Sequence, residues 1–311
     1  MILATKTLAA INDALTLDQG ATFRGFLKDL MPLAGDAYDT KNEEFRTHLG
    51  ASLIGRECDR ELWYSFHWAT SKKFDGRMIR LFNRGHLEEP RMIALLQMIG
   101  CKVWQLDQNG RQFRVTGHRG HFGGSLDAVI RGVPDLPNES CLAEFKTHNE
   151  KSFAKLTTEG VIKAKWEHFI QQQIYMGKNS LNWSLYMAVS KNTDELHAEL
   201  VQFDPIIYTK YDTRAGIIID ATTSPKRINE SPSWYKCKFC DHKGICHDKT
   251  VLPARNCRTC IHSRIGDARE WFCIEPMADA AFGVVVSNVP LTADEQRRGC
   301  DNYEMNPEFK T

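Results

Sequence analysis

Two segments of alternating hydrophobicity in the middle of the chain most constrain its fold. In residues 122–130, apolar or small residues occupy every second position, and Asp127 lies on the opposite, more polar face. A turn-rich stretch separates this segment from residues 141–147, where the period of two recurs. Side chains alternate between the two faces of a strand, so Glu144 and Lys146 share one face of the second segment. The pattern predicts two neighbouring strands, each carrying an acidic residue.

The flanking segments predict helices and further strands. Between Ile79 and Ile99, apolar or small residues recur at steps of three, four or seven, which predicts a long amphipathic helix. Asn109-Gly110 lies between two strand-like runs and predicts a hairpin. The other predicted elements are strands at 102–106, 112–115 and Trp183–Val189 and a helix at about 161–176. This order is typical of a mixed sheet flanked by helices.

Composition and charge exclude several classes of protein. The 311 residues are 42% hydrophobic and 25% charged, which is ordinary for a globular protein with a sizeable core. The formal net charge of +1 means that any positive surface for nucleic acid must be local. No run approaches the roughly 18–20 apolar residues of a membrane span, and the N-terminus lacks the order of a signal peptide. We therefore predict a cytoplasmic protein without a membrane partner.

Asp127, Glu144 and Lys146 form a candidate catalytic group. Phosphodiester hydrolysis requires an activated water and neutralisation of charge on phosphorus, and Mg²⁺ or Mn²⁺ bound by carboxylate oxygens can supply both. If the two predicted strands form a hairpin, Asp127 and Glu144 can share a metal ion, with Lys146 beside the attacked phosphate. Taken alone, Glu-x-Lys on a strand is a weak signal, because a solvated strand face with an ordinary ion pair has the same pattern.

The cysteines predict metal sites in the last quarter of the chain. Seven of the ten occur between Cys237 and Cys300, in short-spaced pairs typical of metal ligation in a reducing compartment. The first set is one ligand short of a tetrahedral site, which His242 or His247 would complete for zinc. The second set predicts a structural zinc site, with His262 as a substitute ligand. The sets are Cys237, Cys240 and Cys246, and then Cys257, Cys260, Cys273 and Cys300.

Three other residues carry simpler expectations. Cys101 and Cys141 lie in strand-like runs and are predicted to be buried, apolar thiols. Trp271, near the second cysteine set, would either cover a small hydrophobic core or stack on a base.

Four motifs in a fixed order give the chain a resemblance to a known family. The motifs are Gly-x-x-x-Glu at Gly85–Glu89, Gly-x-x-Asp at Gly124–Asp127, Glu-x-Lys at Glu144–Lys146 and Gln-x-x-x-Tyr at Gln171–Tyr175. The series resembles the RecB-like and YqaJ-like branch of the PD-(D/E)XK nucleases, which includes phage exonucleases and the CRISPR-associated adaptation nuclease. The resemblance covers roughly residues 50–190.

The resemblance implies roles for the motif residues. Lys146 would orient or activate the attacking water, Gln171 would help to position it, and Tyr175 would lie near the DNA backbone. Two of these assignments involve a choice between neighbours. Glu89 is preferred to Glu88 because it fits the family spacing, and Gln171 is preferred to the two glutamines that follow it because it lies one helical turn before Tyr175. Mg²⁺ or Mn²⁺ would be bound by Glu89, Asp127, Glu144 and the backbone carbonyl of Phe145.

The resemblance also implies an iron–sulfur cluster. Iron–sulfur members of this branch have one cysteine before the nuclease core and three after it with the x2/x5 spacing. Here the match is to Cys58, Cys237, Cys240 and Cys246, and it implies a [4Fe–4S] cluster that ties the two ends of the core together. Zinc at this set, without Cys58, is the alternative.

The expected fold class is α/β, a restriction-endonuclease-like core with a mixed central sheet flanked by helices and a cysteine-rich, metal-binding C-terminal extension. The expected divisions are a helical segment at 1–50, the nuclease core closed by the cluster at 51–250, and a small zinc-ribbon-like extension at 251–311.

The expected function is a metal-dependent DNA nuclease, an exonuclease or DNA-end-processing enzyme of bacterial or phage recombination, repair or replication. Its partners would be DNA and a recombination or replication protein. Arg84 and Lys165 are candidate phosphate contacts, because they lie on or beside the two helices that carry site residues. Two alternatives stay open: a catalytically silent DNA-binding scaffold, and a zinc module that binds nucleic acid or protein.

Overall fold

The fold is described from a computed structural model of the chain. The structure describes residues 1–39, 45–71, 73–248, 250–279, 283–286 and 288–310. Contacts divide the chain into two compact units, each assembled from three stretches. Unit 1 comprises Met1–Asn42, Phe74–Val115 and Gly124–Tyr211, and unit 2 comprises Glu43–Lys73, Thr116–Gly123 and Asp212–Thr311. The expected boundaries after residues 50 and 250 stay predictions.

The helices and strands occur in mixed order along the chain. The helices are α1 Thr5–Asp18, α2 Ala21–Leu30, α3 Gly35–Tyr38, α4 Asp59–Phe66, α5 Gly76–Met98, α6 Glu150–Ala164, α7 Trp166–Asn179, α8 Pro205–Asp220, α9 Tyr235–Lys238, α10 Lys243–His247 and α11 Ala293–Arg298. The strands are β1 Ile2–Leu3, β2 Leu49–Gly50, β3 Lys102–Trp104, β4 Arg114–Gly117, β5 Phe122–Ser125, β6 Ala128–Val133, β7 Leu136–His148, β8 Trp183–Ser190, β9 Leu196–Gln202, β10 Ser263–Ile265, β11 Trp271–Cys273, β12 Pro276–Asp279, β13 Gly283–Val286 and β14 Val289–Leu291. Among the described residues, no helix is both long and apolar enough to cross a membrane.

Unit 1 is built on a six-stranded mixed sheet with the order β1-β9-β8-β7-β6-β3. Strands β7 and β8 run parallel, and the other neighbouring pairs are antiparallel. The two central alternating segments pair as predicted, with Ala128 opposite Ala143. Helices pack against this sheet, so the predicted mixed α/β architecture is confirmed.

The two faces of this sheet differ in chemistry. One face is apolar and packs with α1, α2 and α5 into a single hydrophobic core. That core buries Cys101 and Cys141, as predicted. The opposite face lies under α6 and α7 and carries polar and charged side chains on neighbouring strands. These are Glu144, Lys146 and His148 on β7, Tyr186 on β8, and His197 and Glu199 on β9.

The long helix predicted at 79–99 is confirmed as α5. Asp75 begins it, because its carboxylate accepts a hydrogen bond from the backbone N–H of Met78 at 2.7 Å. Pro90 lies inside the helix and is buried. The buried stripe after Pro90 faces the core.

Three predicted elements differ in the structure. The helix predicted at 161–176 is two helices, because Lys165 between α6 and α7 has an extended φ of −141°. The strand predicted at 122–130 ends at Ser125 and resumes at Ala128, and its two halves belong to different sheets. The predicted hairpin keeps its turn, where Gly110 has a φ of +70°. Its two strands, β3 and β4, belong to different sheets, and the two segments are joined by an isolated bridge between Leu106 and Gln112.

Unit 2 contains shorter elements around an aromatic core. Two of its buried residues are Trp63 and Trp271, which are 1% and 2% exposed. Trp271 packs against Phe66 and His67 with ring centroids 5.5 and 5.7 Å away. The prediction that Trp271 covers a small core is therefore confirmed, and its stacking on a base is not supported.

Candidate active site

Asp127 lies at the break between β5 and β6. Its Oδ2 accepts a hydrogen bond from the backbone N–H of Phe145 at 2.7 Å. The break frees the Asp127 side chain from the regular alternation of a continuous strand, while the hydrogen bond holds its carboxylate against β7. The acid is thus positioned by backbone groups of two neighbouring strands.

Glu144 and Lys146 share the polar face of β7, as the period of two predicts. The Lys146 ammonium forms an ion pair with Oε1 of Glu144. Glu144 is fully buried, whereas the side chain of Lys146 keeps 26% of its surface exposed. Among the described residues, Oε2 of Glu144 has no hydrogen-bond partner. A buried carboxylate oxygen without a donor is costly for the fold, so it is a candidate for contact with a substrate or water.

The charges of this group are strongly coupled. Burial raises the pKa of Asp127 well above its ordinary value, and the charge of Glu144 raises it further. Burial also raises the pKa of Glu144, with Lys146 opposing that effect. Burial alone would lower the pKa of Lys146, but the charges of Glu144 and Asp127 outweigh it and raise that pKa. The lysine therefore stays charged, and both carboxyl groups hold their protons to a higher pH than ordinary carboxyl groups do.

Gln171 and Tyr175 lie behind this group on α7. Nε2 of Gln171 is 3.4 Å from the hydroxyl of Tyr175. The Tyr175 hydroxyl fits against Gly124, where the Cβ atom of any other residue would overlap it. Tyr175 is only 2% exposed, so it supports the site from behind. Its predicted position near the DNA backbone stays a prediction.

Glu89, rather than Glu88, faces the site. Glu88 binds Arg91 at 3.0 Å, whereas Glu89 lines a cleft together with Asp127. The negative charge of Glu89 also raises the pKa values of Asp127 and Glu144. This cleft has a volume of about 990 Å³ and lies within unit 1. Its walls come from residues 32–37, 86–90 and 105–114.

The two predicted phosphate contacts are engaged with neighbouring polar groups. Arg84 is exposed and donates to the carbonyl of Lys191 at 3.0 Å. Lys165 is half-buried and donates to Oγ of Ser152 at 2.5 Å. Neither contact uses a carboxylate, so both side chains keep a net positive charge.

The prediction of a Mg²⁺ or Mn²⁺ ligand set is wrong. In the part of the chain that the structure describes, no group of three or more His, Cys, Asp or Glu side chains is arranged to hold a metal ion. Asp127 instead accepts the Phe145 N–H, and Glu144 pairs with Lys146. Phe145 therefore contributes its N–H to an acid, not its carbonyl to a metal shell.

The predicted iron–sulfur ligands fail the same test. Cys58, Cys237, Cys240 and Cys246 are free thiols of unit 2, and no metal-holding group is found among the described residues. Burial raises the pKa of Cys240 to about 12, which favours the thiol over the thiolate that ligation needs. The zinc alternative fails too, because His242 hydrogen-bonds to Ser65 and Thr70 at 2.9 Å each.

The predicted zinc site of the last cysteines is also wrong. Cys257, Cys260, Cys273 and Cys300 line one small cavity, yet the search of the described residues finds no metal-holding group there. Burial raises the pKa of Cys257 to about 12, and the neighbouring thiols add to that shift. His262 pairs with Glu304 at 3.5 Å. The described residues of the cysteine-rich end therefore do not support the predicted metal-binding extension.

Three residues beside the candidate site were not predicted from the sequence: His148, His168 and Tyr186. Tyr186 stands opposite Glu144 on the parallel neighbour β8. His148 follows Lys146 by two residues on the same face of β7. Period two could have identified His148, whereas Tyr186 and His168 join it only through tertiary packing.

Comparison with known proteins gives few matches. No protein-family model matches the chain, and no curated protein does. A crystal structure of an alkaline exonuclease, LHK-Exo, from Laribacter hongkongensis is similar at 16% identity and a TM-score of 0.40, over 55% of this chain and 86% of that one. LHK-Exo in complex with dAMP gives a TM-score of 0.39 at the same identity and coverage. The crystal structure of SSO0001 gives 0.34 at 16% identity, over 73% of this chain and 97% of that one. TM-scores below 0.5 are too low to define a shared fold.

Proposed function

We propose that this chain is a DNA nuclease that hydrolyses phosphodiester bonds at the group formed by Asp127, Glu144 and Lys146. The observation that carries the proposal is a charged lysine paired with a fully buried glutamate, next to a second, partly buried acid that lines an open cleft. Buried ionisable groups with shifted pKa values are concentrated at functional sites. The order of the four sequence motifs supports the same assignment.

Each member of the group has a chemical role in the proposal. Asp127 lines the cleft, and burial raises its pKa, so its carboxylate form is a stronger base for a water proton than an ordinary carboxylate is. The water oxygen bonds to phosphorus as its proton passes to Asp127, the P–O bond to the leaving sugar oxygen breaks, and that oxygen takes up a proton from solvent to become a hydroxyl. Lys146 offsets the negative charge that develops on the phosphate, and Glu144 holds Lys146 in place. These roles are assigned to side chains alone, because the described residues assemble no three-ligand metal group.

The supporting residues fit the same proposal. Glu89 is the acid on the cleft wall, and Gln171 with Tyr175 supports the site from α7. The cleft of about 990 Å³ is large enough for several nucleotide units of a strand. We propose DNA ends as substrate and a bacterial or phage recombination, repair or replication setting in the cytoplasm, as the motif series implies.

The test is cleavage of linear DNA that is labelled at one end, single-stranded or duplex. Reactions run in Mg²⁺, in Mn²⁺ and in EDTA, so that no single ionic condition decides the result. Lys146→Ala is expected to reduce the cleavage rate by about 100-fold or more, because it removes the charge that stabilises the transition state. The product ladder of the wild type gives the polarity.

The matched control is Lys155→Ala. Lys155 is an exposed lysine of α6 that pairs with Glu159, one turn away. This variant is expected to cleave like the wild type. Melting temperatures of all three proteins separate a lost site from a lost fold. A folded wild type that cleaves no DNA in any condition overturns the proposal, and DNA binding without cleavage would favour the scaffold alternative.

A further inference from the structure

A chain of hydrogen bonds in unit 1 lies between the polar face of the sheet and helices α6 and α7. Lys165 Nζ donates to Ser152 Oγ at 2.5 Å, and Ser152 Oγ is 3.1 Å from Nδ1 of His148. Nε2 of His148 is 2.9 Å from the hydroxyl of Tyr186, which is also 2.9 Å from Nδ1 of His168. The chemistry proposed above uses none of these five side chains.

The lysine at one end gives this chain a direction. An ammonium group can only donate, so Ser152 must accept from Lys165 and can give its own proton to His148. His148 then accepts at Nδ1 and carries its proton on Nε2, from which it donates to Tyr186. The Tyr186 O–H is left to donate to Nδ1 of His168. In this direction the hydroxyl protons of both Ser152 and Tyr186 have acceptors, and each histidine carries its proton on Nε2.

The surroundings keep both histidines neutral, as this direction requires. Burial lowers the pKa of His148 to about 4, and the positive charges of Lys165 and Lys146 add to the effect. Burial lowers the pKa of His168 to about 2, again with Lys146 contributing. Burial raises the pKa of Tyr186, so its hydroxyl keeps the proton that it donates. The two histidines and the tyrosine of the chain are therefore neutral beside the charged Lys146.

Tyr186 connects this chain to the candidate site. It stands opposite Glu144 across the parallel pair β7–β8, so both side chains project from the same face of the sheet. The ring of Tyr186 stacks on His168 with centroids 5.9 Å apart. The two histidines hold the Tyr186 hydroxyl from both sides, and Tyr186 lies close enough to the Glu144–Lys146 pair for the charges of both residues to influence its pKa.

We propose that Lys165, acting through Ser152, His148, Tyr186 and His168, is the anchor of a one-way hydrogen-bond chain that positions the Glu144–Lys146 pair. The chain residues are positioning residues, and the kinetic part of this inference rests on the nuclease activity proposed above. Lys165 thereby has a structural task in the free protein, beyond any contact with phosphate.

The first test does not depend on activity. Nitrogen-15 NMR of the histidine rings near neutral pH reports which ring nitrogen carries the proton. His148 and His168 are expected as neutral rings protonated on Nε2. In Lys165→Met, Ser152 no longer has to donate to His148, so His148 is expected to populate both tautomers. Lys165→Arg, which can also only donate, is expected to restore the single tautomer.

The second test measures cleavage of the same labelled DNA. Tyr186→Phe removes one hydroxyl and is expected to lower kcat by about 10- to 100-fold with KM little changed, since a small misplacement of reacting groups is costly. Tyr208→Phe is the matched control, because the Tyr208 hydroxyl is not a member of this hydrogen-bond chain and its ring packs against Gly177. That control is expected to match the wild type.

The outcomes separate the two proposals. An Nδ1-protonated or charged His148 in the wild type overturns the one-way chain. Wild-type cleavage with an unchanged kcat in Tyr186→Phe overturns the positioning role while the nuclease stands. A wild type that cleaves nothing overturns the nuclease and the positioning role together. The expected tautomers with the expected loss of kcat, at an unchanged melting temperature, support the inference.

Discussion

Unit 1 places a partly exposed lysine beside two carboxyl groups, whereas unit 2 buries a guanidinium among carbonyl groups and aromatic rings. In unit 1, Glu144 is fully buried with one oxygen that lacks a donor among the described residues, and Asp127 has a strongly raised pKa. Lys146 is their shared cation and remains partly exposed. This arrangement holds charge at a cost to the fold.

In unit 2, Arg258 is 2% exposed and each of its nitrogens has an acceptor. Nε donates to Gln296 Oε1 at 2.9 Å, Nη1 to the carbonyl of Phe66 at 3.0 Å, and Nη2 to the carbonyl of Thr47 at 2.9 Å. The guanidinium also lies 3.8 Å from the ring centroid of Trp68. Each of its three nitrogens donates a hydrogen bond, which is the arrangement of a structural group.

The comparison suggests how to tell a structural charge from a functional one. A buried charge with all its partners stabilises the unit around it, and its removal leaves those partners unpaired. A buried charge that lacks partners destabilises the unit, and retaining it makes sense where a ligand or a reaction uses it. Removing charge from the two units should therefore change stability in opposite directions.

The largest expected effect is in unit 2. Arg258→Met should lower the free energy of unfolding by about 3–5 kcal/mol, because it leaves two carbonyls and the Gln296 amide oxygen without donors. Denaturant unfolding followed by tryptophan fluorescence measures the change. Arg297→Met, at a partly exposed arginine of α11, is the control and should have a much smaller effect. A near-neutral Arg258→Met would break the comparison.

The next effect concerns shape within unit 1. Gly124→Ala should lower the free energy of unfolding by about 1–3 kcal/mol, because its new Cβ atom would overlap the Tyr175 hydroxyl. Tyr175→Phe removes that hydroxyl and should recover part of the loss in the double variant. A double-mutant cycle of melting curves measures this coupling. Purely additive losses would show that the two residues do not interact.

Sequence patterns predicted the local part of this site and not its tertiary part. The period of two placed Glu144 and Lys146 on one strand face, and helical spacing predicted α5, which carries Glu89. Alternation continued across Leu126 and Asp127, so it could not show that the strand breaks there. Helical periodicity likewise did not reveal the break at Lys165, where one extended residue separates two helices.

The wrong metal predictions have a physical origin of the same kind. Spacing along the chain identifies residues that could bind a cation, but their oxygen and sulfur atoms must also converge on one point. Here Asp127 accepts a hydrogen bond from the backbone N–H of Phe145, and Glu144 pairs with Lys146. In unit 2, burial raises the pKa values of the Cys240 and Cys257 thiols. Tyr186 and His168 were missed because only the parallel pairing of β7 with β8 and the packing of α7 bring them to Glu144.

The smallest expected effect is opposite in sign to that of Arg258→Met. Asp127→Asn should raise the free energy of unfolding by about 1 kcal/mol near neutral pH while abolishing cleavage. The native pKa of Asp127 lies above that of the unfolded chain, so the folded state holds a proton that the unfolded state has lost. Wild-type stability therefore falls as pH rises from about 4 towards the native pKa, and the advantage of the asparagine grows over that window. Unfolding curves at several pH values measure the difference. An asparagine variant less stable than the wild type throughout this range would mean that the Asp127 carboxylate stabilises unit 1, and the contrast between the two units would not hold.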